Sequence, residues 1–166
     1  MAEQQERRRS PGRPALPVDR IVTAALAIVD ERGAEALSMR TLAQRLDSGT
    51  ATLYRHFSGR ADVVAHVIDR VFGMAELDLV ALTAMPWPAA CKVLCRSMFD
   101  AIRRHPNVAP LLAGDVPVGP NALAAREYAI AFLLANGFPP ALAARSYATL
   151  SRYRSEERRV GKECRL

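Results

Sequence analysis

Side chains able to do chemistry fall into three groups along this chain. Between positions 40 and 60 lie the hydrogen-bond donors Arg40, Thr41, Thr50, Thr52, Tyr54, Arg55, His56 and Arg60. Arg7, Arg8, Arg9 and Arg13 form a second group with no acid among them, and the thiols Cys91 and Cys95 stand four residues apart as a third. Guanidinium, hydroxyl, phenol and imidazole groups donate to anions. What bond-making chemistry needs is missing: there is no Gly-rich phosphate loop, nucleophile elbow, metal-ligand set or pair of carboxylates in a plausible cleft. The residues point to recognition of a polyanion, not to an enzyme, and imply no cofactor and no metal.

The cysteines argue the same way. Cys91, Cys95 and Cys164 make an odd count of 3, without a CxxC pair or a histidine at zinc-finger spacing, so neither a disulfide framework nor a metal site is indicated. Cys91 and Cys95 share one helix face and could hold a soft metal or sense oxidation. Two thiols alone are an incomplete set, and the pair is read as small buried hydrophobes.

These groups need elements to position them. At 166 residues the chain has room for one ordinary domain, or for a small headpiece and a helical body sharing one core. It has no apolar run long enough to cross a membrane, and its N-terminus is Arg-rich with no apolar segment behind it, so a soluble, cytoplasmic protein without a membrane partner is expected. The formal charge of +6 suits a polyanionic partner. Residues 1–16, ending Ser10-Pro11-Gly12-Arg13-Pro14, cannot pack and read as a basic arm.

From Pro17 to Arg32, Ile21, Ala25, Ile28 and Val29 follow the i, i+4, i+7, i+8 pattern, widened by Val22 and Leu26. Pro17 suits the first turn, Asp19 the positive end of the dipole, and Gly33 the stop. A second helix opens at Ser38, a good N-cap, with Met39, Leu42, Ala43 and Leu46 on one face. Asp47-Ser48-Gly49 is a tight turn, and Leu53 and Phe57 share a face of the helix that follows. Two helices joined this way form a helix-turn-helix, whose second helix enters the major groove and needs a small or polar outward face. Thr50, Ala51 and Thr52 meet that need; Ala51 and Arg55 point most directly away from the core.

Leu37-Ser38-Met39-Arg40-Thr41-Leu42-Ala43-Gln44-Arg45-Leu46, the turn, then Thr52-Leu53-Tyr54-Arg55-His56-Phe57 and Arg60 resemble the signature of the TetR family of bacterial transcriptional repressors, over Ile21 to about Val63. The chain departs from it at Asp47 and Ser48, where the family carries Gly and a small aliphatic residue; Asp tolerates a left-handed backbone. The resemblance implies that Arg40, Thr50 and Ala51 face bases and that Thr41, Thr52, Tyr54, His56 and Arg60 contact phosphates. Their chemistry agrees: arginine can bond guanine bidentately and alanine can touch a thymine methyl. Competing roles stay open. Tyr54 could instead pack against the first helix, His56 beside Phe57 could be structural, and Arg60 could be a solvated helix start, although a cation there is unfavourable without an anion near. Gly49 stands where many relatives carry a reading side chain. Beside such a head, the Arg7 to Arg13 arm reads as a minor-groove or phosphate contact.

Ala61 to about Leu82 reads as one continuous helix broken by Met85-Pro86-Trp87-Pro88, and about Trp87 to Arg104 as another, ended by His105-Pro106. Val108 to Pro120 is a loop with at most one short helix, Asn121 to Asn136 a helix stopped by Gly137, and Pro139 opens one more. The body, 64–153, resembles the regulatory domain of the same family, which encloses a ligand pocket; Phe72, Trp87, Met98, Phe99 and Phe132 are the expected lining. Residues 154–166 lack apolar periodicity, and Arg154 to Cys164 can be written in codons matching a sequencing-library adapter, so they are read as a non-native tail on a body incomplete at its C-terminus. The expected fold is all-α, a three-helix helix-turn-helix head over 17–63 and a helical body. The expected function is a ligand-responsive repressor, binding a palindromic double-stranded DNA operator as a homodimer and answering a small-molecule effector. The alternative is a non-functional or dominant-negative fragment in which dimerisation is lost.

Overall fold

Ile21, Ala25, Ile28 and Val29 are all but completely buried, so the stripe legible in the sequence is the seam on which the rest assembles. The structure, a computed structural model, describes residues 16–75, 78–113 and 117–150. Arg7, Arg8, Arg9 and Arg13, and the tail at 154–166, lie outside them. Every regular element among the described residues is helical. Helix α1 runs Val18–Arg32 and stops at Gly33, whose φ of 85° is open to glycine at little cost. A 3₁₀ turn at Ala34–Ala36 leads into α2, Met39–Arg45, and α3, Thr50–Tyr54. Then come α4, Arg60–Gly73, the short α5, Leu79–Thr83, and α6, Trp87–Arg104. A 3₁₀ run at Pro106–Ala113, α7 at Pro120–Ala135 and α8 over 140–150 complete the order.

One core serves the head and most of the body. Ile21, Val29, Leu42, Leu53 and Phe57 belong to the same buried cluster as Val63, Val67 and Val71 of α4, Met98 and Ile102 of α6, and Val108. A smaller cluster of Leu82, Ala90 and Phe132 holds α5, α6 and α7 together. No helix among the described residues is long and apolar enough to cross a membrane.

The span from Ala61 to Leu82 is not one helix. It ends at Gly73, with Met74 as its cap, and α5 restarts behind Asp78, whose carboxylate accepts from the N–H groups of Val80 and Ala81 at 3.1 and 3.0 Å. Asp78 serves as an N-cap, and Gly73, a poor helix former, lies where a Cβ would come within 3.0 Å of Asn121 on α7. Apolar periodicity continues across this break and conceals it.

Helix α4 is tied on both sides. Towards the body, buried Asp69 accepts from the Ala122 N–H at 2.9 Å and from Asn121 Nδ2 at 2.8 Å, capping α7 with a carboxylate from another helix. Towards the head, Arg70 donates to Asp19 and to Thr23 of α1. His105 and Asn107 add a second tie, with Nδ1 of His105 2.8 Å from Asp30 Oδ2 and Asn107 donating to the Asp30 carbonyl at 2.8 Å.

Gly119 makes the carboxylate cap possible, since a Cβ there would lie 2.2 Å from the Asp69 Cγ. Gly119→Ala is expected to destabilise the fold by about 1–3 kcal/mol, the cost of overpacking a rigid site. Urea unfolding measures it, and an unchanged midpoint would show that α7 can shift freely against α4.

Candidate nucleic-acid interface

Helix α3 has five residues, too few to be stable alone. It is held from beneath. Leu53 and Phe57 are buried, the N–H groups of His56 and Phe57 both reach the Leu53 carbonyl at 2.9 and 3.0 Å, and the Phe57 ring meets His66 of α4 edge-on at 5.0 Å. Asp47 takes a φ of 48° at the turn, the left-handed conformation that Asp tolerates, and the turn closes with the Ser48 N–H on the Ala43 carbonyl at 2.9 Å.

Helix α2 begins with a reciprocal cap. The Ser38 hydroxyl accepts from the Thr41 N–H at 3.1 Å, and the Thr41 hydroxyl accepts from the Ser38 N–H at 2.9 Å. The Thr41 hydroxyl proton is directed at the Ala36 carbonyl, 2.8 Å away, with the Ser38 carbonyl at 3.1 Å. In this structure the Thr41 hydroxyl thus serves the cap of α2. The signal in the sequence was partial, because this capping box closes on Thr in place of the usual Glu or Gln.

Arg60 is engaged as well. Its Nε donates to the Leu37 carbonyl at 2.8 Å and its terminal nitrogen to the Ala34 carbonyl at 2.9 Å, pinning α4 to the 3₁₀ turn. These bonds use two of its five N–H donors, and Arg60 is exposed, so donors remain at this helix start for an anion from outside. At the other end of α2, Arg45 makes a two-point ion pair with Glu31 of α1, both contacts 2.6 Å. The Arg45 hydrogen bonds hold the Glu31 carboxyl below the ordinary glutamate value. Nothing in the pattern of α2 singled out that pair.

What remains outward is one face. Arg40 on α2, and Gly49, Thr50, Ala51, Tyr54, Arg55 and His56 on and around α3, are exposed, with Thr52 half-buried among them. Tyr54 is 56% exposed, so of its two expected positions the outward one is adopted. His56 makes a tilted ring contact with Phe57 at 6.5 Å. At Gly49 a Cβ would meet nothing within 4 Å, so the fold does not demand glycine there. The face carries guanidinium, hydroxyl, phenol and imidazole donors without a carboxylate between Gly49 and His56. Such a surface complements phosphates and base edges.

The body contains a cavity of about 60 Å³ between α6, α7 and α8, lined by Phe72, Leu94, Met98, Leu133 and Tyr147 and by the thiols of Cys91 and Cys95. Phe72 and Met98 are where the sequence places them. Trp87, Phe99 and Phe132 are not in the lining. Trp87 is 42% exposed and packs edge-on against Phe138 at 5.0 Å; Phe132 is buried in the smaller cluster; Phe99 is half-buried elsewhere on α6. A stripe of large apolar residues does not separate wall from core, and the small side chains that leave a void pass unnoticed in it. Burial pushes the Cys91 thiol above its ordinary pKa, and nearby Cys95 adds to the shift.

Comparison with known proteins agrees with this anatomy. Residues 21–67 match the family described as bacterial regulatory proteins, tetR family, and residues 82–157 match the tetracyclin repressor-like C-terminal domain. An HTH-type transcriptional regulator of Saccharopolyspora erythraea is 36% identical over 141 residues, which cover 85% of this chain and 59% of the relative; the chain thus spans under two thirds of that protein's length. ActR of Streptomyces coelicolor, solved in complex with actinorhodin, superposes with a TM-score of 0.81 at 33% identity, over 92% of this chain and 70% of that one. BioQ, solved with its double-stranded DNA operator, superposes with a TM-score of 0.78 at 25% identity, over 90% of both chains.

Replacing Thr41 by alanine is expected to lower stability by about 0.5–2 kcal/mol, the usual range for a lost cap. Urea unfolding reads this. A Thr41→Ala chain of unchanged stability whose DNA affinity falls would assign the hydroxyl to phosphate instead of the cap.

Proposed function

Because this chain belongs to the TetR family of bacterial regulatory proteins, we propose that it is a sequence-specific DNA-binding regulator, a repressor that lets go of its operator when a small molecule occupies the body. The single observation that carries this reading is the outward face of α2 and α3: every polar side chain on it between Gly49 and His56 can donate or is neutral, and the apolar side chains Leu53 and Phe57 are turned inward. Arg40, Thr50 and Ala51 read bases in this proposal. Thr52, Tyr54 and His56 contact phosphates, and the arm residues Arg7, Arg8, Arg9 and Arg13 add charge along the adjacent backbone. Arg60 holds α4 against the 3₁₀ turn that precedes α2, and its remaining N–H donors reach phosphate. The operator is a palindrome bound by two copies in the cytoplasm, since two heads on one duplex multiply the affinity of each.

Ligand response is supported by the shared core. The cavity lies on the inner face of α6, and the residue that follows α6, His105, is bonded to Asp30 near the end of α1. A shift of α6 on filling the cavity therefore bears on the head directly, which is the differential contact that coupling between two sites requires.

The test begins with selection of duplexes from a random pool by the full chain, followed by titration at two salt concentrations. Arg40→Ala is expected to weaken the selected sequence by about 1–3 kcal/mol and to relax preference at one base pair. His56→Ala is expected to weaken all sequences alike. An enriched sequence bound equally well by Arg40→Ala removes the base-reading assignment, and a pool with no enrichment removes the proposal.

A further inference from the structure

We propose that the cavity beside α6 is a site for an apolar compound carrying one soft, thiophilic centre that bonds two sulfurs at once, of which a monosubstituted trivalent arsenical is the type, with Cys91 and Cys95 as the bonding pair. Both thiols line the cavity, at i and i+4 of α6, and Met98, three residues further on, brings a third sulfur to the same wall. The cavity is partly open, with exposed Leu150 at its edge and an apolar wall, so a ligand can enter it and remove apolar surface from water. The apolar recess and the two thiols occur together, and a ligand explains both.

The spacing selects the chemistry. Residues at i and i+4 of a helix have Cβ atoms about 5–6 Å apart, whereas a disulfide needs about 3.5–4.5 Å. Direct oxidation of the pair would therefore distort α6, while an atom inserted between the sulfurs spans the gap. The surroundings decide the charge. No charged side chain is among the lining residues, so an adduct that leaves a net charge is disfavoured; burial likewise pushes the Cys91 thiol above its ordinary pKa. A monovalent soft cation on two thiolates would leave one negative charge; a dithioarsine leaves none. In that step two As–O bonds of R–As(OH)₂ break and two As–S bonds form. Each thiol proton departs with a hydroxide as water, and nothing is oxidised or reduced. The apolar substituent R then lies against Phe72, Leu94 and Leu133.

The adduct stands apart from DNA recognition; only its effect on DNA rests on the reading proposed above. The experiment uses the full chain carrying Cys164→Ser, reduced, with phenylarsine oxide as the probe and intact mass as the readout. One phenylarsenic group per chain is expected, blocking both thiols to iodoacetamide, retained in excess monothiol and released by a dithiol. Cys91→Ala and Cys95→Ala, each checked for helicity, are expected to weaken retention by about 100-fold, the loss of a two-point attachment. An adduct on the two-thiol chain that monothiol strips, or two groups per chain, overturns the site without reference to either variant. Retention with unchanged duplex affinity upholds the site and counts against the ligand-response reading, while no adduct on a chain that still binds its duplex overturns the site and leaves the DNA-binding reading standing.

Discussion

Helix α4 must be buried on two sides at once, and the rest of the structure follows from that constraint. Val63, Val67 and Val71 are 1% exposed or less in the core shared with α1 and α6, each worth about 1.5–3 kcal/mol relative to exposure. On its flank Asp69 cannot be left bare, because a buried carboxylate without donors is costly; the first turn of α7 supplies them. Arg70, one residue on, grips the start of α1. Head and body thus share apolar contacts and also divide the polar bonds of successive residues on one helix. A displacement of α6 or α7 has no compliant layer in which to dissipate before it reaches α1.

The reading face depends on this indirectly. A five-residue α3 has no cooperative stability of its own, and its pose is set by Leu53 and Phe57 beneath it and by the cap of α2 before it. At the edge of that face the Thr41 proton and two of the five N–H donors of Arg60 are committed to carbonyls of the same small region. The remaining donors of Arg60, with Arg40 and those from Thr50 to His56, are therefore presented on a rigid support. Preorganisation of this kind is what lets a few side chains discriminate among sequences.

Much of the head was legible because each of its signals has a local cause. Ser38 caps α2, Gly33 stops α1, Asp47 accepts a positive φ, and the burial of Ile21, Leu42, Leu53 and Phe57 follows from their spacing alone. The polar ties were not legible, since Asp30 with His105 and Asp69 with Asn121 join residues more than 50 positions apart and no periodicity encodes such pairs. The end of α4 was hidden for a different reason: apolar residues persist through Gly73 to Leu82, so the pattern that finds helices ran straight across it. In the body, large apolar residues were expected around the cavity, and Trp87 and Phe132 proved to pack elsewhere. Part of the cavity wall is small, and Cys91, Cys95, Ala125 and Ala129 look in sequence like ordinary core.

The central claim is that one face of α2 and α3 meets DNA while the opposite face holds the fold. Chemical-shift mapping of the full chain during titration with a short duplex tests it directly. The account predicts that the amides of Arg40, of Gly49 to Thr52 and of Tyr54 to His56 move first and furthest, and that those of Asp69 and of Leu94 to Met98 stay nearly still. Shifts centred on the cavity, or spread evenly over the exposed arginines of α6, would contradict it.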